Sequence, residues 1–97
     1  MESLGLIEVS SVTGALDALD VMCKTANVSF VTWERKLGGR LVTIIVKGSV
    51  SAVTEAVDAA MERGLVRPCA HAVIANPHEE TVRIVEISAS RMKRKRL

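Results

Sequence analysis

The sequence predicts an α/β chain of the α+β class: a four-stranded antiparallel sheet with helices packed on one face, plus a short C-terminal element. Three observations carry this. Short runs rich in Val, Ile and Leu alternate with two segments of helical apolar spacing. Two of the β-branched runs flank a loop containing Gly38-Gly39, the pattern of a hairpin. The resulting order β-α-β-β-α-β closes an antiparallel sheet with both helices on one side, the ferredoxin-like arrangement.

Residues 4–9 read as the first strand. Over 12–26 the apolar residues Val12, Ala15, Leu16, Leu19, Met22, Cys23 and Ala26 repeat at the period of one helical face, with Asp17, Asp20 and Lys24 on the outer side. Residues 28–33 and 41–47 are the hairpin strands. Ser49 or Ser51 caps a second helix, whose inner face is Val50, Val53, Ala56, Val57, Ala60 and Met61. Gly64 ends it, a residue suited to the left-handed conformation. A strand at 70–75 stops at Asn76-Pro77, a helical turn starts at 78–80, and alternation over 82–87 predicts a small strand. The domain therefore spans 1–88, and 89–97 is expected to be a flexible basic tail.

A chain of 97 residues, 48% apolar, makes one domain with a modest core, so association with other subunits would help its stability. Phe30 and Trp33 are its only aromatic residues. Of thirteen basic residues, Arg91, Lys93, Arg94, Lys95 and Arg96 lie in the last seven positions; the other eight against eleven acidic residues leave the body at −3. No run is long and apolar enough to cross a bilayer, and Met1-Glu-Ser-Leu lacks the marks of a signal peptide, which predicts a cytoplasmic protein without a membrane partner. Cys23 and Cys69 form no Cys-x-x-Cys pair and read as small buried or half-buried thiols.

Four phrases carry a resemblance. They are the opening Leu4-Gly-Leu-Ile-Glu, the segment from Ala15 to Val28, the stretch from Arg40 to Val53, and His71-Ala-Val-Ile-Ala-Asn-Pro-His78. In this order, over roughly residues 2 to 87, they resemble the bacterial microcompartment shell proteins of the single-domain, hexamer-forming kind. The resemblance implies a cyclic homo-hexamer that tiles with other shell proteins of the same compartment into facets around encapsulated enzymes. It also implies a narrow central pore lined by the loop between the second and third strands, here Lys36, Leu37, Gly38, Gly39 and Arg40. Family members usually show a Lys-Ile-Gly-Ser-Gly-like loop; this one is Lys-Leu-Gly-Gly-Arg and one residue longer.

Where six such loops converge, residues without side chains let the backbones approach while leaving a hole, and their N–H groups face passing solutes. Lys36 and Arg40 would make the rim positive and favour small polar or anionic metabolites. By the same resemblance Lys24, Asn27, Asn76 and His78 belong to the edge between hexamers, Lys24 lying against its counterpart next door. Asn76 stands where the family usually has an arginine, which removes a five-donor guanidinium from that edge.

Nothing in the sequence assembles a nucleophile, base and orienting group, so no catalytic residues are expected and the chain is not read as an enzyme. Cys69, His71 and His78 fall short of a recognisable metal set, and no metal or other cofactor is expected. The C-terminal basic residues could touch an encapsulated enzyme. Nucleic acid is a poor fit, because stacking aromatics are missing and the body is acidic. The residues leave open a small-ligand-binding regulatory module of the same ferredoxin-like fold.

Overall fold

The computed structural model describes residues 2–95. Its elements are β1 (Ser3–Val9), α1 (Val12–Thr25), β2 (Ser29–Lys36), a single 3-10 turn (Leu37–Gly39), β3 (Leu41–Gly48), α2 (Val50–Arg63), β4 (Ala70–Ile74) and α3 (Glu79–Lys95). The strands form one four-stranded antiparallel sheet, as the sequence predicts, and their order is β2-β3-β1-β4.

Serine starts both central helices. The Ser11 hydroxyl accepts from the Gly14 N–H at 2.9 Å and the Ser49 hydroxyl from the Ala52 N–H at 3.2 Å, each satisfying an N–H that the first helical turn leaves over. Gly64 does end α2, for a different reason than expected. Its φ of −63° is not left-handed, and a Cβ there would lie 2.6 Å from the Ala60 carbonyl oxygen. The constraint is space at the helix end rather than backbone handedness.

Period-two alternation divides the sheet into two faces. Ile7 and Val9 of β1 and Val42, Ile44 and Val46 of β3 point to one face, where Ala15, Ala18 and Met22 of α1 and Val53, Ala56, Val57 and Ala60 of α2 cover them. With so few aromatics the seal depends on close approach. At Gly5 a Cβ would meet the side chains of Val57, Val46 and Val53 at 3.1 to 3.3 Å, so a larger residue would require these valines to shift by a few tenths of an ångström.

The C-terminal element departs from expectation. Residues 82–87 are not a strand, and the chain does not lose structure at 89: one helix, α3, runs from Glu79 to Lys95 across the expected boundary at 88. Positions 96 and 97 of the expected tail lie outside the described residues. Asn76-Pro77 breaks the chain after β4, and His78 starts the helix, its carbonyl accepting from the Val82 N–H at 3.1 Å and its Nδ1 from the Glu80 N–H at 3.1 Å. α3 lies on the sheet face opposite α1 and α2, with Val85 packed on Leu4 and Ile45 and with Leu6, Val31 and Ile74 around them.

Polar contacts complete that second interface. The buried hydroxyls of Thr32 and Ser88 lie 2.9 Å apart, and Ser88 also donates to Glu34, whose carboxylate accepts from Arg91 at 3.2 Å. The Ser88 hydrogen bond holds the Glu34 carboxyl below its ordinary value against partial desolvation, and Arg91 and Lys36 add to the effect. Both cysteines, expected inside, are exposed.

Truncating Ile44→Ala, fully buried on β3, should lower unfolding stability by about 2–5 kcal/mol, read as a lower denaturant midpoint at an unchanged slope. The α3 interface should respond to acid. A carboxyl held low contributes fully above the ordinary carboxylate range and loses its contribution as pH falls through its own, lower value. Trp33 lines the cleft between β2 and α3. Its fluorescence should therefore shift as pH falls below the ordinary carboxylate range, and Glu34→Gln should abolish that step.

Candidate functional site

The connection between β2 and β3 holds the residues expected at a pore, and its backbone is unusual. Leu37, Gly38 and Gly39 have φ of 54°, 66° and 85°, three consecutive left-handed residues. Glycine adopts this region freely, whereas Leu37 does so at a cost of about 1 kcal/mol. Arg40 holds the turn closed: its backbone N–H and its Nε both donate to the Leu37 carbonyl, at 3.3 and 3.1 Å. The two glycines differ in their surroundings. Gly38 has nothing within 4 Å of where a Cβ would be, so it is the open tip, while a Cβ on Gly39 would meet Val12 at 3.0 Å. Leu37 and Lys36 project into solvent beside the tip.

Strand pairing fixes where this loop lies relative to the residues expected at an edge. Lys36 pairs with Leu41 at one end of the hairpin and Ser29 with Lys47 at the other. At that far end Asn27 is next to Gly48, Gly48 pairs with Ser3, and the Ser3 hydroxyl donates to the Ala75 carbonyl at 2.6 Å. Asn27 and Asn76 therefore share one end of the sheet. Lys24 lies in the last turn of α1, just before Asn27, and His78 follows Asn76. All four edge candidates sit at the end opposite the loop, separated from it by the length of β3, about 25 Å. Lys24, Asn27, Asn76 and His78 are exposed. Lys24 pairs with Asp20 at 2.7 Å, and that hydrogen bond raises its pKa.

Sequence reasoning missed the third group, Glu34, Ser88 and Arg91. α3 runs along β2 toward the loop, so its basic end approaches Lys36: a cleft of about 220 Å3 is lined by Trp33, Glu34, Lys36, Ser88, Arg91 and Met92. The signal was present in Val82, Val85, Ala89 and Met92, spaced by three and four, after the helix-starting acids Glu79-Glu80. Local alternation over 82–87 masked it.

Elsewhere the chemistry is sparse. Among the described residues no group of three or more His, Cys, Asp or Glu is placed to hold a metal, and no helix is long and apolar enough to cross a membrane. Cys69 lies with its Sγ 3.3 Å from the Glu8 carbonyl oxygen, and partial desolvation followed by the Asp20 carboxylate pushes the Cys23 thiol up, away from the reactive thiolate. A groove of about 550 Å3 runs along α2 past Thr54, Glu55, Asp58 and Glu62 and is widely open.

The BMC domain model matches residues 3–77. The bacterial microcompartment shell protein PduA of Citrobacter freundii is 43% identical over 86 residues, covering 87% of this chain and 91% of its own. Carboxysome shell protein CsoS1C of Hydrogenovibrio crunogenus is 40% identical over 94 residues, covering 91% of this chain and 88% of its own. Among solved structures, a microcompartment protein from Desulfitobacterium hafniense DCB superposes with a TM-score of 0.74 at 30% identity over 86% of this chain; the match spans about half (48%) of that longer chain. Taken with the sheet order, these likenesses establish that the chain belongs to the BMC-domain family of bacterial microcompartment shell proteins.

Proposed function

We propose that the chain is a structural subunit of a bacterial microcompartment shell, forming a homo-hexamer whose central pore is lined by Lys36, Leu37, Gly38, Gly39 and Arg40. The observation that carries this is the placement of loop and edge at opposite ends of one sheet. In a ring with Gly38 at its axis and the sheet running outward, Lys24, Asn27, Asn76 and His78 would lie on the rim, where neighbouring rings would meet.

The proportions suit such a plate, since the subunit measures 32 × 32 × 22 Å. The loop suits a pore because Gly38 presents bare backbone at the tip, while Lys36 and Arg40 add positive charge on either side. Small polar or anionic metabolites are the solutes it would favour. Other shell proteins of the compartment are the lateral partners, and the basic end of α3 is available to encapsulated enzymes. The chain's part is architectural, with no catalytic step assigned to any residue.

The native mass in solution, measured by light scattering after size exclusion at moderate salt, should correspond to six subunits or multiples of six. A species of one to three subunits that persists across concentrations would overturn the assignment and favour a ligand-binding module. At the rim, Lys24→Ala should leave the hexamer and its melting temperature unchanged, because the side chain is solvent-exposed and its Asp20 pair is a surface one. The same change should reduce the sheets or tubes seen by electron microscopy, and undiminished lateral assembly would remove Lys24 from the edge.

A further inference from the structure

We infer that Glu34 is a selectivity-setting residue: it fixes both the net charge and the position of the cations beside the pore loop, and so limits how strongly the passage prefers anions. The inference rests on the pore assignment and adds to it a group outside the loop.

Glu34 lies two residues before Lys36 on β2, so both side chains leave the same face of the sheet, the one that α3 covers. Its two carboxylate oxygens are divided between the neighbouring elements. Oε1 faces the Lys36 ammonium at 3.9 Å, while Oε2 accepts from the Ser88 hydroxyl and from the Arg91 guanidinium at 3.2 Å. One half-buried acid thus joins the strand leading into the loop to the basic end of the helix beside it.

Burial differs among the three charges in a way that matters. The Glu34 side chain is 33% exposed, against 54% for Arg91 and 69% for Lys36, so the acid is the more enclosed and the cations are the more open to solution. Arg91 would swing free without Glu34, the one side chain that holds its guanidinium among the described residues. Held as it is, Arg91 adds a cation on the flank of the loop, and Glu34 cancels one of the two positive charges of the Lys36–Arg91 pair. Per subunit the trio carries +1; removing the carboxylate charge would leave +2. Symmetric repetition around an axis multiplies the difference, and charges within about 10 Å of a passing ion act on it at ordinary ionic strength.

The test is ion selectivity of the purified protein in planar lipid bilayers, read as the reversal potential in a potassium chloride gradient. Glu34→Gln should raise the anion-to-cation permeability ratio about twofold over the unaltered protein, and Arg91→Gln should lower it by a similar factor, with both effects larger at low salt. Arg91 is a surface side chain, so this second variant keeps the test valid if Glu34→Gln assembles poorly. Melting temperatures are measured alongside. Variants that lose stability but share the ratio of the unaltered protein would overturn the inference and leave Glu34 a structural pin. A conductance whose anion-to-cation ratio is left unchanged by Lys36→Gln as well would overturn the pore assignment itself, and the inference with it.

Discussion

The close approach of α2 to β1 at Gly5 is the constraint on which the rest of the domain depends. β1 pairs with β3 on one side and β4 on the other, so displacing it would move three of the four strands. The space at Gly5 is bounded closely by the valines at positions 46, 53 and 57, and a side chain there would press on the contact between α2 and the sheet. The end of α2 in turn directs the path of the chain into β4. Its exit places the Leu65 N–H 2.6 Å from the Asp17 carboxylate on α1, and the chain then enters β4 with the Cys69 N–H donating to the Glu8 carbonyl. A core built from Val, Ile, Ala and Met has small side chains and must gain its stabilisation from density rather than from area per residue.

The two faces of the sheet are held by different physics. Under α1 and α2 the contact is a continuous apolar cluster. Under α3 the buried apolar cluster is Leu4, Ile45 and Val85, edged by the partly buried Leu6, Val31 and Ile74, and beside it lie the polar contacts of Thr32, Ser88, Glu34 and Arg91. The buried hydroxyls of Thr32 and Ser88 are both partnered, as they must be, because an unpaired polar atom inside would cost more than the contact returns. An interface of this kind is directional: Ser88 has to meet Glu34, which fixes both the register of α3 along β2 and the place where its basic end arrives. It is also the part of the fold whose stability answers to ionisation, which the apolar face cannot do.

Much of this was legible in the residues. Strand-length β-branched runs, the helical repeat over 12–26 and the serine cap of the second helix all express local physics, and local physics set the two central helices and the hairpin. The loop residues Lys36 to Arg40 were also legible, since glycine pairs between strands mark a turn. Three features were not. Val82 to Ile87 alternates like a strand, and only the longer spacing through Met92, together with packing on the second sheet face, makes it helical. Cys23 and Cys69 resemble core residues in composition, yet Cys23 lies on the outward side of α1 and Cys69 just before an edge strand. Glu34 looks like any strand acid facing water until a helix some fifty residues later supplies Ser88 and Arg91. Contacts of that sequence separation leave no periodic trace near either partner.

The loop separates shape from charge. Its conformation is carried by three left-handed residues and closed on the Leu37 carbonyl, so backbone geometry favours glycine at 38 and 39, and contact with Val12 adds to this at 39. In the proposed pore, electrostatic character would come from the flanks, from Lys36 at the end of β2 and Arg40 before β3, and from Glu34 and Arg91 beside them. Those flanking side chains lie outside the left-handed turn and can change without asking the backbone to adopt a forbidden angle. On the proposed pore reading, exchanging flanking charges would change the solutes admitted without changing the turn, and the arginine-bearing loop of this chain, with Arg91 of α3 beside β2, would bias it toward anions.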